Sequence, residues 1–276
     1  MIYEFMKAKA TMTEESKRSY NSTLKRFQKF CDDKNINIIN ASESDVSMYM
    51  NQFKDHKIKT RKSYKIILNG FYNWLIKNGY TQRNPVEDIT IKGNASKNDK
   101  EDMTQNHFQR ILNNCSGVRD MALISFLWYT GVRAKELTSI RVSDINVDQN
   151  YIFVGLSKSE SGNRRIPIHP NFKKLLGIYL RKRINIDTDF EVLFLTKHNK
   201  KIKYRTLLSY IKDLQKGTDY DFAVHDFRRA FVTRLYDKTG DIVLCQQLAG
   251  HSSIETTRKY IQGNQKRLEK FSAINF

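Results

Sequence analysis

Residues 91–102, Ile-Lys-Gly-Asn-Ala-Ser-Lys-Asn-Asp-Lys-Glu-Asp, carry no hydrophobic period and almost no apolar side chain. Such a stretch cannot bury enough surface to offset the entropy of ordering it, so it reads as a linker. A chain of 276 residues is long for one compact domain and comfortable for two. The expected division is a domain over 1–90, the linker over 91–102 and a second domain over 103–276. Apolar residues make up 39% of the chain, enough for a sizeable core.

The first domain reads as helical. Thr13 can cap a helix whose first turn holds Glu14 and Glu15, with Tyr20, Leu24 and Phe27 on its apolar face. Ser42-Glu43-Ser44-Asp45 has capping-box spacing and is followed by Val46, Tyr49, Met50 and Phe53 at helical period. A third helix is predicted from about Thr60 to Asn78, burying Tyr64, Ile67, Leu68, Phe71, Trp74 and Leu75. Gly79 supplies a left-handed stop, and Pro85 opposes continuation. Lys57, Lys59, Arg61, Lys62 and Lys65 crowd the start of that helix with no acid among them. A solvated face is the default for such a run; cations beside the N–H groups of a helix start also suit phosphate, and that reading is preferred.

Past Met103 the pattern changes. Met121 to Tyr129 is apolar on nearly every side and reads as a buried helix, broken at Thr130-Gly131. Tyr151–Val154 and Arg165–Ile168 look like two strands joined by a polar hairpin over 155–164. Helices are expected at about Asn171–Arg183, Tyr204–Lys216, Asp226–Asp237, Ile242–Leu248 and Ser253–Ile261. The fold class is mainly α with a small antiparallel β-sheet.

The formal charge is +19, which repels itself unless a polyanion is the partner. Both parts share it: residues 1–95 hold 17 basic and 10 acidic side chains, and residues 96–276 hold 31 and 19. Cys31, Cys115 and Cys245 are far apart and odd in number, with no zinc spacing, and no carboxylate cluster has ligand spacing. No metal and no cofactor are expected. Neither a signal peptide nor a membrane span is visible, so a cytoplasmic protein without membrane contact is expected.

Cutting a phosphodiester without a metal requires cations for the charge that grows on its oxygens, a nucleophile, and a proton donor for the leaving group. His225-Asp226-Phe227-Arg228-Arg229, followed about twenty residues later by Leu248-Ala249-Gly250-His251-Ser252-Ser253-Ile254-Glu255-Thr256-Thr257-Arg258-Lys259-Tyr260, supplies such parts. Each residue alone has an ordinary reading. Arg133 is then a surface charge or ion pair, Lys158 a solvated hairpin residue, His225 and Arg228 a capped helix start, and His251 a structural histidine. Composition cannot select Tyr260 among 14 tyrosines.

At these residues the sequence resembles the tyrosine recombinase (phage integrase) family, of the simple Xer-like or transposon-resolvase-like two-domain type. Thr130-Gly131-Val132-Arg133-Ala134-Lys135-Glu136-Leu137 is similar to the family's first arginine box, and His225-x-x-Arg228 to its second. The Gly250-His251 to Tyr260 spacing matches closely. Arg229 and Ile261-Gln262 depart from the commonest residues, at little mechanistic cost. The likeness is clear over about 103–265 and looser over 13–90.

The resemblance implies a helical core-binding domain and a mixed α/β catalytic domain closing as a C-shaped clamp on double-stranded DNA. Arg133 and Arg228 would bind the scissile phosphate, with His251 donating a hydrogen bond to it. Lys158 would be general acid to the leaving 5′-oxygen, His225 would orient or deprotonate the nucleophile, and Tyr260 would attack. Glu136 reads as structural; Lys135, Arg164 and Arg165 are rival DNA contacts. The implied partners are short inverted-repeat core sites and a homotetramer at synapsis, monomer or dimer otherwise. The tail from about 262 would dock on a neighbouring protomer, and the absence of a long N-terminal arm domain favours core-site action. A type IB-like topoisomerase and a non-catalytic DNA-binding protein on the same scaffold are the alternatives.

Overall fold

The computed structural model describes residues 1–91, 102–155 and 163–261. Lys158, most of the expected hairpin and the tail from 262 lie outside the described residues. The chain divides into two compact units, Met1–Asp99 and Lys100–Phe276.

The first unit contains α1 (Ile2–Ala8), α2 (Glu14–Asp33), α3 (Glu43–Asn51) and α4 (Ile58–Lys77). Thr13 caps α2 by accepting from the Ser16 N–H, and Ser42 with Asp45 closes a reciprocal capping box on α3. The stripes of α2, α3 and α4 meet in an aromatic core of Phe27, Tyr49, Phe71 and Tyr72, all essentially buried. Tyr72 keeps its hydroxyl satisfied there by donating to the Ile38 carbonyl at 2.6 Å. Helix α1 was not expected; it drives Phe5, fully buried, edge-on against Phe71 and Trp74.

The second unit holds α5 (Gln105–Asn113), α6 (Val118–Thr130), α7 (Ala134–Leu137), a short 3-10 turn, β1 (Ile145–Asn146), β2 (Tyr151–Val154), β3 (Arg164–Pro167), α8 (Pro170–Ile184), α9 (Tyr204–Asp213), α10 (Val224–Thr239), α11 (Ile242–Ala249) and α12 (Ile254–Ile261). Helix α6 is the hub, as its all-round apolar sequence requires. Trp128 is fully buried, stacked on Phe108 with ring centroids 4.5 Å apart, with the Arg234 guanidinium over its ring at 3.5 Å. The strands form an antiparallel sheet in the order β1-β2-β3, with Val154 opposite Arg164 and Ile152 opposite Ile166.

Strand β3 begins one residue earlier than expected, which changes the reading of Arg164. Alternation sends Arg164 and Ile166 to the buried face and Arg165 and Pro167 outward. Arg164, expected as a rival DNA contact, is 8% exposed and faces the interior. Among the described residues no helix is long and apolar enough to cross a membrane.

Candidate active site

The site is assembled where the C-terminal ends of two helices converge. Helix α6 ends at Gly131, whose φ of +58° is left-handed; a Cβ there would meet the Phe231 ring at 2.4 Å, so only glycine fits. The chain turns at once and exposes Arg133 at the N-cap of α7. Glu136, on α7, accepts the Arg133 backbone N–H at 2.7 Å and its Nη1 at 2.9 Å. The same carboxylate takes both Nη groups of Arg164, at 3.1 and 2.9 Å. Burial alone would raise the Glu136 pKa, but Arg164 and Arg133 together hold it below the usual carboxylate value.

Helix α11 ends at Gly250, also left-handed with φ +67°. Its last carbonyls are left without helical partners, and three arginines take them in succession. Arg164 Nε donates to Leu248 O at 2.8 Å, Arg228 Nη2 to Ala249 O at 2.6 Å, and Arg133 Nη2 to Gly250 O at 2.7 Å. The negative end of a helix dipole thus collects cations from α7, α10 and β3. Gly250 is needed for contact as well as for φ, since a Cβ would sit 2.7 Å from Arg164 Nη1.

His225 and Arg228 are one turn apart on α10. Arg228 is 1% exposed and also donates to the Gly131 carbonyl at 2.9 Å, which ties the end of α6 to the end of α11. Burial and then Arg133 bring its pKa down to about 10, so it stays a cation at neutral pH. Tyr260 on α12 places its hydroxyl 2.7 Å from His225 Nε2. His251 stacks on the Tyr260 ring, centroids 5.3 Å apart, and its Nδ1 lies 2.8 Å from the Thr257 hydroxyl. The buried His251 Nε2 has no hydrogen-bond partner among the described residues.

The electrostatics follow from burial among cations. Burial and Arg228 lower the pKa of His225, leaving it a neutral base at pH 7. Burial, Arg228 and Arg133 push His251 down to about 3. Burial raises the pKa of Tyr260, although Arg228 and Arg133 pull the other way. Tyr260 therefore rests as a neutral phenol hydrogen-bonded to a neutral imidazole, next to two arginines.

Five of the six expected catalytic positions, Arg133, Arg228, His225, His251 and Tyr260, come together; the sixth, Lys158, lies outside the described residues. Of the expected DNA contacts, Lys57, Lys59 and Lys62 are exposed at the start of α4, and Arg61 is half-buried. Lys65 turns to the Glu87 carbonyl at 3.0 Å. Arg165 is exposed and lies over the Tyr151 ring. The inward turn of Arg164 and the histidine–threonine contact were missed; the first could have been found from the strand alternation of Arg164 with Ile166 and Ile168.

Comparison with known proteins gives a consistent result. Residues 101–267 match the profile described as the Phage integrase family, and residues 3–79 match that of the Phage integrase N-terminal SAM-like domain. The chain is similar to the tyrosine recombinase XerC of Leptospira interrogans serovar copenhageni, 25% identical over 96% of this chain and 88% of the relative. It is also similar to the tyrosine recombinase XerA of Saccharolobus solfataricus, 30% identical over 75% of this chain and 64% of that one. Among solved structures, the Tn1549 transposon integrase in complex with circular intermediate DNA superposes with a TM-score of 0.82 at 17% identity, covering 99% of this chain and 98% of the other. A lambda integrase dimer bound to a COC′ core site gives 0.77 at 19% identity, covering 94% and 75%.

Proposed function

Since the chain belongs to the phage integrase family and is a site-specific tyrosine recombinase that cleaves and rejoins DNA, we propose that Tyr260 is its nucleophile and that Arg133, Arg228 and His251 hold the phosphate it attacks. The observation that carries this reading is the 2.7 Å contact between the Tyr260 hydroxyl and His225 Nε2, set beside two arginines anchored on the consecutive carbonyls of Ala249 and Gly250 at the end of α11.

His225 takes the phenol proton as the oxygen attacks. The incoming phosphate offers oxygens to the arginine cations, whose planar forks bond it without deprotonating. The charge that builds on those oxygens is met by donors already in place, the largest contribution to be expected at a site without a metal. Lys158 protonates the leaving 5′-oxygen. The products are a 3′-phosphotyrosyl bond and a 5′-hydroxyl; the bond energy is conserved, so attack by another 5′-hydroxyl rejoins the strands.

The substrate is double-stranded DNA carrying short inverted-repeat core sites, engaged by a homotetramer at synapsis; the neighbouring solved structures with core-site and circular-intermediate DNA support DNA as the partner. Residues 1–90 form the core-binding domain, with Lys57, Lys59 and Lys62 at the α4 start as phosphate contacts and Arg165 as a further one. The test is Tyr260→Phe on a duplex selected by the protein from a random inverted-repeat pool. DNA binding should persist while SDS-stable complexes vanish; covalent complexes at the wild-type level would remove Tyr260 from the role.

A further inference from the structure

We propose that Thr257 is a positioning residue for strand cleavage: its hydroxyl donates to Nδ1 of His251 and so fixes the ring tautomer that carries its proton on Nε2. The proposal deepens the reading of His251 as a phosphate donor and rests on it.

Thr257 is fully buried and His251 is 6% exposed, so neither can turn to water. Oγ1 of Thr257 and Nδ1 of His251 are 2.8 Å apart. A buried hydroxyl needs an acceptor for its proton. Among the described residues the Thr257 hydroxyl has one hydrogen bond, the one to His251. If Nδ1 carried the ring proton and donated, the hydroxyl proton would be stranded in the interior. If the hydroxyl donates, it is satisfied, and the ring proton must sit on Nε2.

The surroundings make that choice matter. Burial first, and then Arg228, Arg133, His225 and Arg164, disfavour an imidazolium at His251, whose ring also lies against Tyr260. A neutral ring has one proton, so a donor at Nε2 exists only in one tautomer. Nε2 is the ring nitrogen that is buried without a partner among the described residues, and the arginines proposed to grip the phosphate act electrostatically on the same ring. Thr257 also lies one turn before Tyr260 on α12, while the His251 ring stacks on the Tyr260 ring. One hydroxyl thereby ties the donor to the helix that carries the nucleophile.

The experiment uses the full chain with Thr257→Val, which keeps the shape and loses the hydroxyl, and Thr257→Ser, which keeps the hydroxyl. Imidazole nitrogens are read by NMR on 15N-histidine protein, with His251→Gln as the assignment control. Cleavage is read as SDS-stable complex formed on the selected inverted-repeat duplex. The wild type and the serine variant should show His251 protonated on Nε2. The valine variant should lose that signature and cleave about tenfold more slowly or worse, with DNA affinity retained. On a His251→Gln background the valine change should add nothing. A wild-type ring protonated on Nδ1 overturns the proposal whether or not the valine variant folds. So does a serine variant as slow as the valine one, or a valine variant that cleaves at the wild-type rate. Failure of the wild type to form any covalent complex would instead undo the reading of the site itself and leave the tautomer result standing.

Discussion

The hydroxyl of Tyr260 on α12 lies 2.7 Å from Nε2 of His225 at the start of α10, 35 residues earlier in the chain. His225 is kept from protonation by burial first and by Arg228 second, so its pKa lies below the ordinary value of 6.5. The cleavage rate should therefore rise as pH rises through a value below about 6.5 and then level off, because only neutral His225 can accept the phenol proton. Replacing His225 by alanine should lower the cleavage rate about 100-fold or more and remove that acid limb. Single-turnover cleavage from pH 5 to pH 8 measures both.

Acid should also weaken the fold through His251. Its pKa falls to about 3 in the folded chain, from 6.5. A depressed histidine favours the folded state above the unfolded pKa, and that contribution is lost as pH falls from 6.5 toward about 3. Between pH 6.5 and 5 the loss is at most about 2 kcal/mol. Urea unfolding of His251→Asn beside the wild type should show the variant losing less stability over that interval.

Glu136 joins two arginines that would otherwise repel, and it is 8% exposed. Removing it leaves the buried charge of Arg164 without its carboxylate partner. Glu136→Ala should cost about 3–5 kcal/mol, the usual penalty for breaking a buried pair from one side. The double variant Glu136→Leu with Arg164→Met should cost less than the two single changes together, because no orphaned charge remains. Chemical unfolding of the three variants decides it.

Gly131 and Gly240 are both left-handed helix stops, with φ of +58° and +68°. A Cβ at Gly240 meets nothing within 4 Å, whereas one at Gly131 runs into Phe231. Gly240→Ala should cost about 1–2 kcal/mol, the backbone penalty alone. Gly131→Ala should cost more, and should also slow cleavage, because the Gly131 carbonyl is a partner of Arg228. Melting curves and cleavage rates of the pair separate strain from misplacement.

What the sequence disclosed and what it hid divide along physical lines. Helices α2, α3 and α4 could be read because each buries one continuous face, which imprints a period on the letters. Helix α1 could not, since seven residues with Phe5 as their one buried side chain leave no period. The order Arg133, His225, Arg228, His251, Tyr260 was legible through its resemblance to a family. What holds those side chains was not: the acceptors are the carbonyls of Gly131, Ala249 and Gly250, and every residue has a carbonyl. Arg164 was placed at the end of the polar hairpin, as a rival DNA contact, and not in the strand that turns it inward. Its partner Glu136 lies 28 residues earlier, a pairing that only the folded chain brings about.

The cations at the start of α4 give the last test. Lys57, Lys59 and Lys62 are exposed there, whereas Lys65 is bonded to the Glu87 carbonyl. A lysine that neutralises one phosphate releases condensed counterions, so each should contribute about 0.9 to the slope of log affinity against log salt. Alanine at 57, 59 and 62 together should flatten that slope by about 2–3 and weaken binding to all duplexes alike, since phosphates carry no sequence. Lys65→Ala should change the slope by well under one, because its ammonium already has a protein acceptor. Binding isotherms at several salt concentrations check both, and equal slope changes for Lys65→Ala and for any one of the three exposed lysines would remove the distinction.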